Sequence, residues 1–209
     1  APTDRTDHLA VMEPILKAAM RRGVRRFVLL SSSLLEAGGP MMGQVHAWLA
    51  QNAPEWAVLR PSWFMQNFSE GPHAATIRDE GVIYSATSTG RVGFIDAQDI
   101  AASAAACLVA PAPLNGDVVL TGPEALSYDD TAALIAAARG RPVRHVSLEP
   151  TALTTRFVAQ GLPAGYARTL TDLDQAIAVG AEDAATDGVE RMTGRPPDPF
   201  SAFAERAAA

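Results

Sequence analysis

Apolar positions along the chain fall into short blocks that switch repeatedly between two periods. From residue 7 to 22, Leu9, Met12, Leu16 and Ala19 lie close to helical spacing. Pro14 fits if the regular helix begins near Glu13, because proline is tolerated in a first turn. Gly23 closes it. Residues 27–30 form a continuous apolar run, the pattern of a strand covered on both faces. The loop Glu36-Ala37-Gly38-Gly39-Pro40 then leads into a helix holding Val45, Trp48 and Leu49, and Ala57-Val58-Leu59 makes the next strand. Helix, strand, helix, strand at this pitch predicts a parallel sheet with helical crossovers.

Downstream, residues 81–84 and 91–95 read as short strands around a Ser/Thr/Gly turn. Asp96 and Asp99 flank the start of an alanine-rich helix running to about Ala110, where they read as caps. Residues 117–120 make another strand. Ser127-Tyr128-Asp129-Asp130 caps a helix ending before Gly140, with Asp130 near the positive end of its dipole. Residues 143–148 supply a last strand. Tyr166, Leu170, Leu173 and Ile177 follow a four-three-four spacing that predicts one helix face. A short final helix around Phe200 and Phe203 follows the break at Thr193-Gly194-Arg195-Pro196-Pro197.

Composition narrows the function classes. In 209 residues, 48% hydrophobic and 19% charged content is that of an ordinary globular chain. A net charge of -6 excludes a general phosphate-backbone binder, so no nucleic-acid partner is expected. The basic knot Arg21-Arg22 with Arg25-Arg26 straddles Gly23 at a helix end, where cations complement the dipole. The single cysteine, Cys107, sits in an apolar run and forms no intrachain disulfide. No stretch approaches the roughly 20 apolar residues of a membrane span, and no basic-then-apolar leader opens the chain. A cytoplasmic protein is the expectation. The four histidines, His8, His46, His73 and His145, are widely separated and lack metal-ligand spacing, so no metal site is expected. There is no Gly-x-Ser-x-Gly elbow and no P-loop.

Several segments together resemble a known family. Residues 23–32 (Gly23-Val24-Arg25-Arg26-Phe27 through Ser31-Ser32), residues 56–67, Asp96-Ala97-Gln98-Asp99-Ile100-Ala101, Leu120-Thr121-Gly122-Pro123-Glu124, Gly140-Arg141-Pro142-Val143 and the Thr193–Pro197 break occur in the order found in the NmrA-like, atypical branch of the short-chain dehydrogenase/reductase superfamily. The chain is similar to its quinone-reductase-like and ergot-alkaloid-reductase-like members. That resemblance implies an α/β fold: a partial Rossmann-like, doubly wound parallel sheet with a small, mostly helical C-terminal substrate lobe. The expected division is 1–125 for the Rossmann-like part, with a short-strand insertion at about 80–96, and 126–209 for the lobe.

The resemblance also implies a site at the C-terminal strand edges, the general rule for such sheets. Ser31 and Ser32 would lie beside the nicotinamide ribose of NAD(P)H, and Pro61, Ser62, Trp63 and Phe64 would pass along the nicotinamide. Met41, Met42, Gln66 and Asn67 would face the substrate, a flat apolar or aromatic molecule such as a quinone or enone. The two strand tips are expected to line a common crevice.

Two departures qualify this. The Tyr and Lys that short-chain dehydrogenases pair for proton transfer fall near Gly38 and Met42, which carry no exchangeable side-chain proton. His46, with an ordinary pKa near neutrality, is then the candidate acid. No glycine-rich turn follows a strand and opens a helix, so the chain is expected to begin after the family's fourth strand and, alone, not to bind NAD(P)H tightly. The strand at 27–30 would be an open edge, to be covered by another copy or a separate partner. The leading expectation is an NAD(P)H-dependent oxidoreductase or its C-terminal portion. The rivals are a non-enzymic sensor or partner-binding protein, and a cofactor-independent enzyme using the residual pocket.

Overall fold

The computed structural model describes residues 7–208. In chain order the elements are α1 (His8–Arg21), β1 (Arg26–Leu30), α2 (Met42–Asn52), β2 (Glu55–Pro61), a 3-10 turn (Met65–Phe68) and α3 (Ala74–Asp79). There follow β3 (Val82–Ser85), β4 (Arg91–Val92), α4 (Ala97–Val109), β5 (Gly116–Leu120), β6 (Leu126–Ser127) and α5 (Tyr128–Arg139). The chain ends with β7 (Arg144–Ser147), α6 (Pro150–Ala159), α7 (Ala164–Ala178), α8 (Gly188–Thr193) and α9 (Phe200–Ala208).

Two compact units share these elements. Unit 1 is Ala1–Ser62, Gln98–Leu120 and Thr186–Pro196; unit 2 is Trp63–Ala97, Thr121–Ala185 and Pro197–Ala209. The expected break at about residue 125 is therefore corrected. Residues 80–96 are no insertion in the first part but belong to unit 2, and α8 returns to unit 1. Contiguous reading misses this because each return is made by long-range packing, which leaves no local composition shift.

Unit 1 holds a three-stranded, all-parallel sheet in the order β1-β2-β5. Phe27, Leu29, Trp56 and Val58 alternate onto one face, where α1 and α2 cover them with Leu9, Met12, Leu16, Val45, Trp48 and Leu49. On the other face Val118 stands in register with Leu59, and α8 approaches so closely that a Cβ on Gly188 would meet the Val119 carbonyl oxygen at 2.1 Å. Helices on both faces make the sheet doubly wound. α1 begins at His8, not near Glu13, with Pro14 inside it. Proline lacks the N–H that would bond the Ala10 carbonyl, a loss offset by burial of the helix's apolar side against the core. Among the described residues β1 pairs only with β2 and forms the sheet edge. Ile15, Val24 and Leu30 are exposed at 65%, 45% and 47%.

Unit 2 pairs β3 with β7 in parallel and β4 with β6 antiparallel. Its core is aromatic. Phe68 stands edge-on to Phe94 and Phe200 at 5.2 and 5.3 Å between centroids, and Tyr128 stands edge-on to Phe94 at 5.5 Å. Such offset arrangements of ring quadrupoles add to simple area burial. α5 starts as the sequence predicts: Asp130 N–H donates to Ser127 Oγ at 3.1 Å and Ser127 N–H donates back to Asp130 Oδ2 at 2.9 Å. Gly140 ends it at φ 62°, left-handed backbone that glycine adopts without strain.

α7 exists where predicted, but the buried positions are Ala167, Thr171 and Ile177, while Tyr166 is 40% exposed. The small pair lets α7 lie close to α6, where Thr154 Oγ1 donates to Thr171 Oγ1 at 2.9 Å. A pattern that weighs only large apolar residues places the stripe a residue off.

Candidate functional site

The strand ends of unit 1 continue the parallel pairing past the sheet. Ser31 N–H donates to Leu59 O at 2.8 Å, Ser33 N–H to Pro61 O at 2.9 Å, and Ser62 N–H to Leu120 O at 2.9 Å. Ser31, Ser32, Pro61 and Ser62 are thereby gathered at the C-terminal edge of one sheet, as expected. The Ser31 hydroxyl is buried and has no hydrogen-bond partner among the described residues. A buried polar group without a partner is uncommon and calls for a ligand or water.

Arg60 holds this edge together. It sits in β2, only 6% exposed, with one guanidinium nitrogen donating to the Ser33 carbonyl at 2.6 Å and to Glu36, and the other to Asp117 Oδ2 at 2.8 Å. Burial works against its charge, but the hydrogen bonds to Asp117 and Glu36 more than compensate and raise its pKa. One side chain thus ties the loop after β1 to the end of β2 and the start of β5. Sequence reading passed over it. An arginine inside an apolar strand was the available signal; its partners lie too far along the chain to be paired by spacing.

The loop from Glu36 to Gly43 is closed on itself. Gly38 N–H donates to Gly43 O, Gly39 N–H to Glu36 O and Gly43 N–H to Pro40 O, at 2.8 to 3.0 Å. These donors are spent within the loop and do not form an anion cradle, although Met41 has the uncommon backbone value φ 55° for a residue with a side chain. Met42, expected to face substrate, packs instead on the Leu29–Val58 core as the first residue of α2. His46 is 3% exposed beside Trp56, with ring centroids 5.7 Å apart. Burial lowers its pKa, Asp117 and Glu36 pulling up and Arg60 down. It packs as a core imidazole beside Trp56 and β2.

In unit 2, Trp63 and Phe64 follow directly on Ser62 and run beside the segment after β4. Ile95 N–H donates to Trp63 O at 2.9 Å and Met65 N–H to Ile95 O at 2.8 Å. Both aromatic side chains are half-buried. Gln66 is committed elsewhere. Its amide donates to Asp96 Oδ1 at 2.9 Å and accepts from Ala97 N–H at 3.0 Å, fixing the entry to α4. Asp96, which directly precedes α4, also takes Arg206, and Asp99 in the first turn of α4 is bridged to Arg195 at 2.8 Å. Asn67 stays half-buried at the 3-10 turn.

Unit 2 also collects titratable groups that sequence spacing had kept apart. Ser85 Oγ lies 2.7 Å from His145 Nε2 and 2.7 Å from Thr87 Oγ1, while His145 Nδ1 faces Asp129 at 3.4 Å. Tyr128 stands between His73 and His145 at 5.7 and 5.6 Å. Burial, with the neighbouring His145, pushes His73 down to about 4. Burial lifts the Tyr128 phenol, helped by the charge of Asp174. Asp174 accepts Ala86 N–H at 2.8 Å, yet burial raises its carboxyl from an ordinary 3.8 to about 6. No group of three or more His, Cys, Asp or Glu side chains among the described residues could hold a metal ion.

Comparison with known proteins places this geometry. No protein-family model matches the chain. It is 45% identical over all 209 residues to the uncharacterized oxidoreductase YesF of Bacillus subtilis, of which it spans 73%. It is also 45% identical over 189 residues to agroclavine dehydrogenase of Claviceps fusiformis, covering 88% of this chain and 65% of that protein. Among solved structures, the NADPH complex of Escherichia coli quinone oxidoreductase QOR2 superposes with a TM-score of 0.82 at 19% identity, over 99% of this chain and 74% of that one. NmrA, a negative transcriptional regulator solved with NAD, gives 0.70 at 15% identity, over 95% of this chain and 69% of that one. The fold is that of Rossmann-like reductases. The chain belongs to the NmrA-like, atypical branch of the short-chain dehydrogenase/reductase family.

Two measurements probe the site. Arg60→Met leaves the Ser33 carbonyl without its donor and unpairs Asp117; because the carboxylates are partly exposed, the expected loss is about 2 kcal/mol in urea unfolding, and an unchanged midpoint would show that the clamp contributes nothing. Asp174 has a raised folded pKa, so its favourable contribution is complete below 3.8 and lost as the pH rises through about 6. Asp174→Asn keeps an acceptor for Ala86 and is expected to stabilise the protein by on the order of 1–2 kcal/mol at pH 7, with the gain vanishing near pH 4. Thermal melts across that range check it.

Proposed function

We propose that this chain carries the nicotinamide-end and substrate-side residues of an NAD(P)H-dependent reductase acting on a flat, poorly charged acceptor such as a quinone or enone. The observation that carries the reading is the unpartnered, buried Ser31 hydroxyl at the C-terminal ends of three parallel strands, in a chain of this family. A ribose hydroxyl suits that position, and ligands of open α/β sheets bind beyond those strand ends. Within unit 1, Ser31 and Ser32 hold the ribose while Pro61 and Ser62 set the plane of the ring. Within unit 2, Trp63, Phe64 and Asn67 offer the apolar and amide surface for the acceptor. The cofactor, when bound, supplies the hydride.

The protein's own share is positioning and exclusion of water, which alone contribute large rate factors. No proton donor stands at Gly38 or Met42, and His46 is buried, so the proton that completes quinone reduction comes from solvent. Nothing among the described residues resembles a pyrophosphate cradle, since the Gly38–Gly43 donors are spent. In this reading the cradle comes from a partner segment of different sequence that adds a strand at the open β1 edge, where a second copy could pair but would bring no cradle of its own. The likeness to NmrA keeps a second reading in play, in which the same strand ends bind a dinucleotide without turnover.

Titrating NADPH while following tryptophan fluorescence separates these readings from a cofactor-free protein. Saturable quenching is expected, oxidation of NADPH by an added benzoquinone supports the reductase, and no signal at about millimolar cofactor would sink both. Light scattering tests the edge: a mass above the 22.0 kDa of one chain is expected, and a monodisperse monomer contradicts self-association.

A further inference from the structure

A cleft in unit 2 combines an apolar floor with arginine side chains. It lies among α3, α5 and α9, encloses about 100 Å3, and is floored by Phe68, Ile77, Ile135 and Phe203. Arg78 and Arg139 stand at its rim. None of Trp63, Phe64, Gln66 or Asn67 lines it, so it is separate from the substrate residues proposed for this unit.

The charge at that rim is out of balance. Arg139 is half-buried in the last turn of α5 and has no hydrogen bond or ion pair with any described residue. Burial lowers its pKa, and the neighbouring guanidinium groups of Arg141 and Arg78 lower it further. Arg141 reaches over to donate to the Arg78 carbonyl at 3.3 Å. Arg78 pairs with Asp79 at 2.7 Å, which leaves one carboxylate against three cations. The C-terminal dipoles of α3 and α5 favour Arg78 and Arg139 in their last turns but give the Arg139 guanidinium no side-chain acceptor. That they gather on a chain of net charge -6 makes the local excess sharper.

We propose that this cleft binds a small amphipathic carboxylate, its alkyl chain on Phe68, Ile135 and Phe203 and its head on the Arg139 guanidinium. A planar, forked donor with no partner suits a carboxylate, and a charged hydrogen bond at a half-buried site is worth more than a neutral one. The apolar floor excludes a bare inorganic anion as the best ligand. The volume is below the ~150 Å3 that admits benzene, so the ligand has a short unbranched chain and not a fused ring system.

The test uses the full chain and three probes of equal length: pentanoate, pentan-1-ol and pentylammonium, titrated by calorimetry and by the arginine Nε resonances in NMR. Pentanoate is expected to bind with a dissociation constant on the order of millimolar, as befits about seven non-hydrogen atoms. The alcohol should be roughly tenfold weaker, and the amine should not bind. Arg139→Gln, a substitution at the cleft rim checked for folding by circular dichroism, should lose about tenfold for pentanoate and leave pentanol unchanged. Equal binding of acid and alcohol, an unaffected Arg139→Gln variant, or no binding of pentanoate overturns the proposal.

Discussion

A single guanidinium sets the geometry of the strand ends in unit 1. Arg60 occupies a position that strand alternation would give to an apolar side chain, and it keeps its charge there because three oxygen-bearing groups meet it. Those groups come from the loop after β1 and from the start of β5, so all three strands are referred to one point. The backbone bonds of Ser31, Ser33 and Ser62 then extend the parallel register outward. Beside the clamp, the Ser33 N–H bond to the Pro61 carbonyl also holds the loop that carries Glu36. The open Ser31 hydroxyl is the product: a polar atom fixed in place with its bonding capacity unused.

Much of this was legible from local rules. The strand at β1, the capping box at Ser127 and Asp130, and the closing Gly140 all follow from neighbours within a few residues, and each stands where its chemistry predicts. Elements whose placement depends on distant packing were read less well. Pro14 lies inside α1 because Leu9, Met12 and Leu16 are buried against another layer, which periodicity around the proline does not reveal. Gln66 looked free to meet a substrate until its amide was seen to close on Asp96 and Ala97. His73 and His145 looked unrelated by spacing, yet the fold sets both against Tyr128.

The ionisable groups inside unit 2 share one tendency. Burial drives each toward its neutral form: histidines down, Asp174 and Tyr128 up. That tendency suits an aromatic core; Asp96, 1% exposed in the same unit, is instead bridged to Arg206. The tendency also accords with positions Gly38 and Met42, where proton-transfer chemistry has no side chain to use. Charge is instead gathered into pairs and clusters, in the Arg60 clamp, in the Asp96 and Asp99 bridges, and at the cleft between α3, α5 and α9.

The chain passes between its two units five times, so neither unit corresponds to an unbroken stretch of sequence. At the level of the gene this forbids a simple exchange: no single pair of breakpoints could lift out one unit and graft it onto another protein. Changes in what the second unit recognises must therefore arise by substitution or by growth within its loops, and both units descend together as one heritable block.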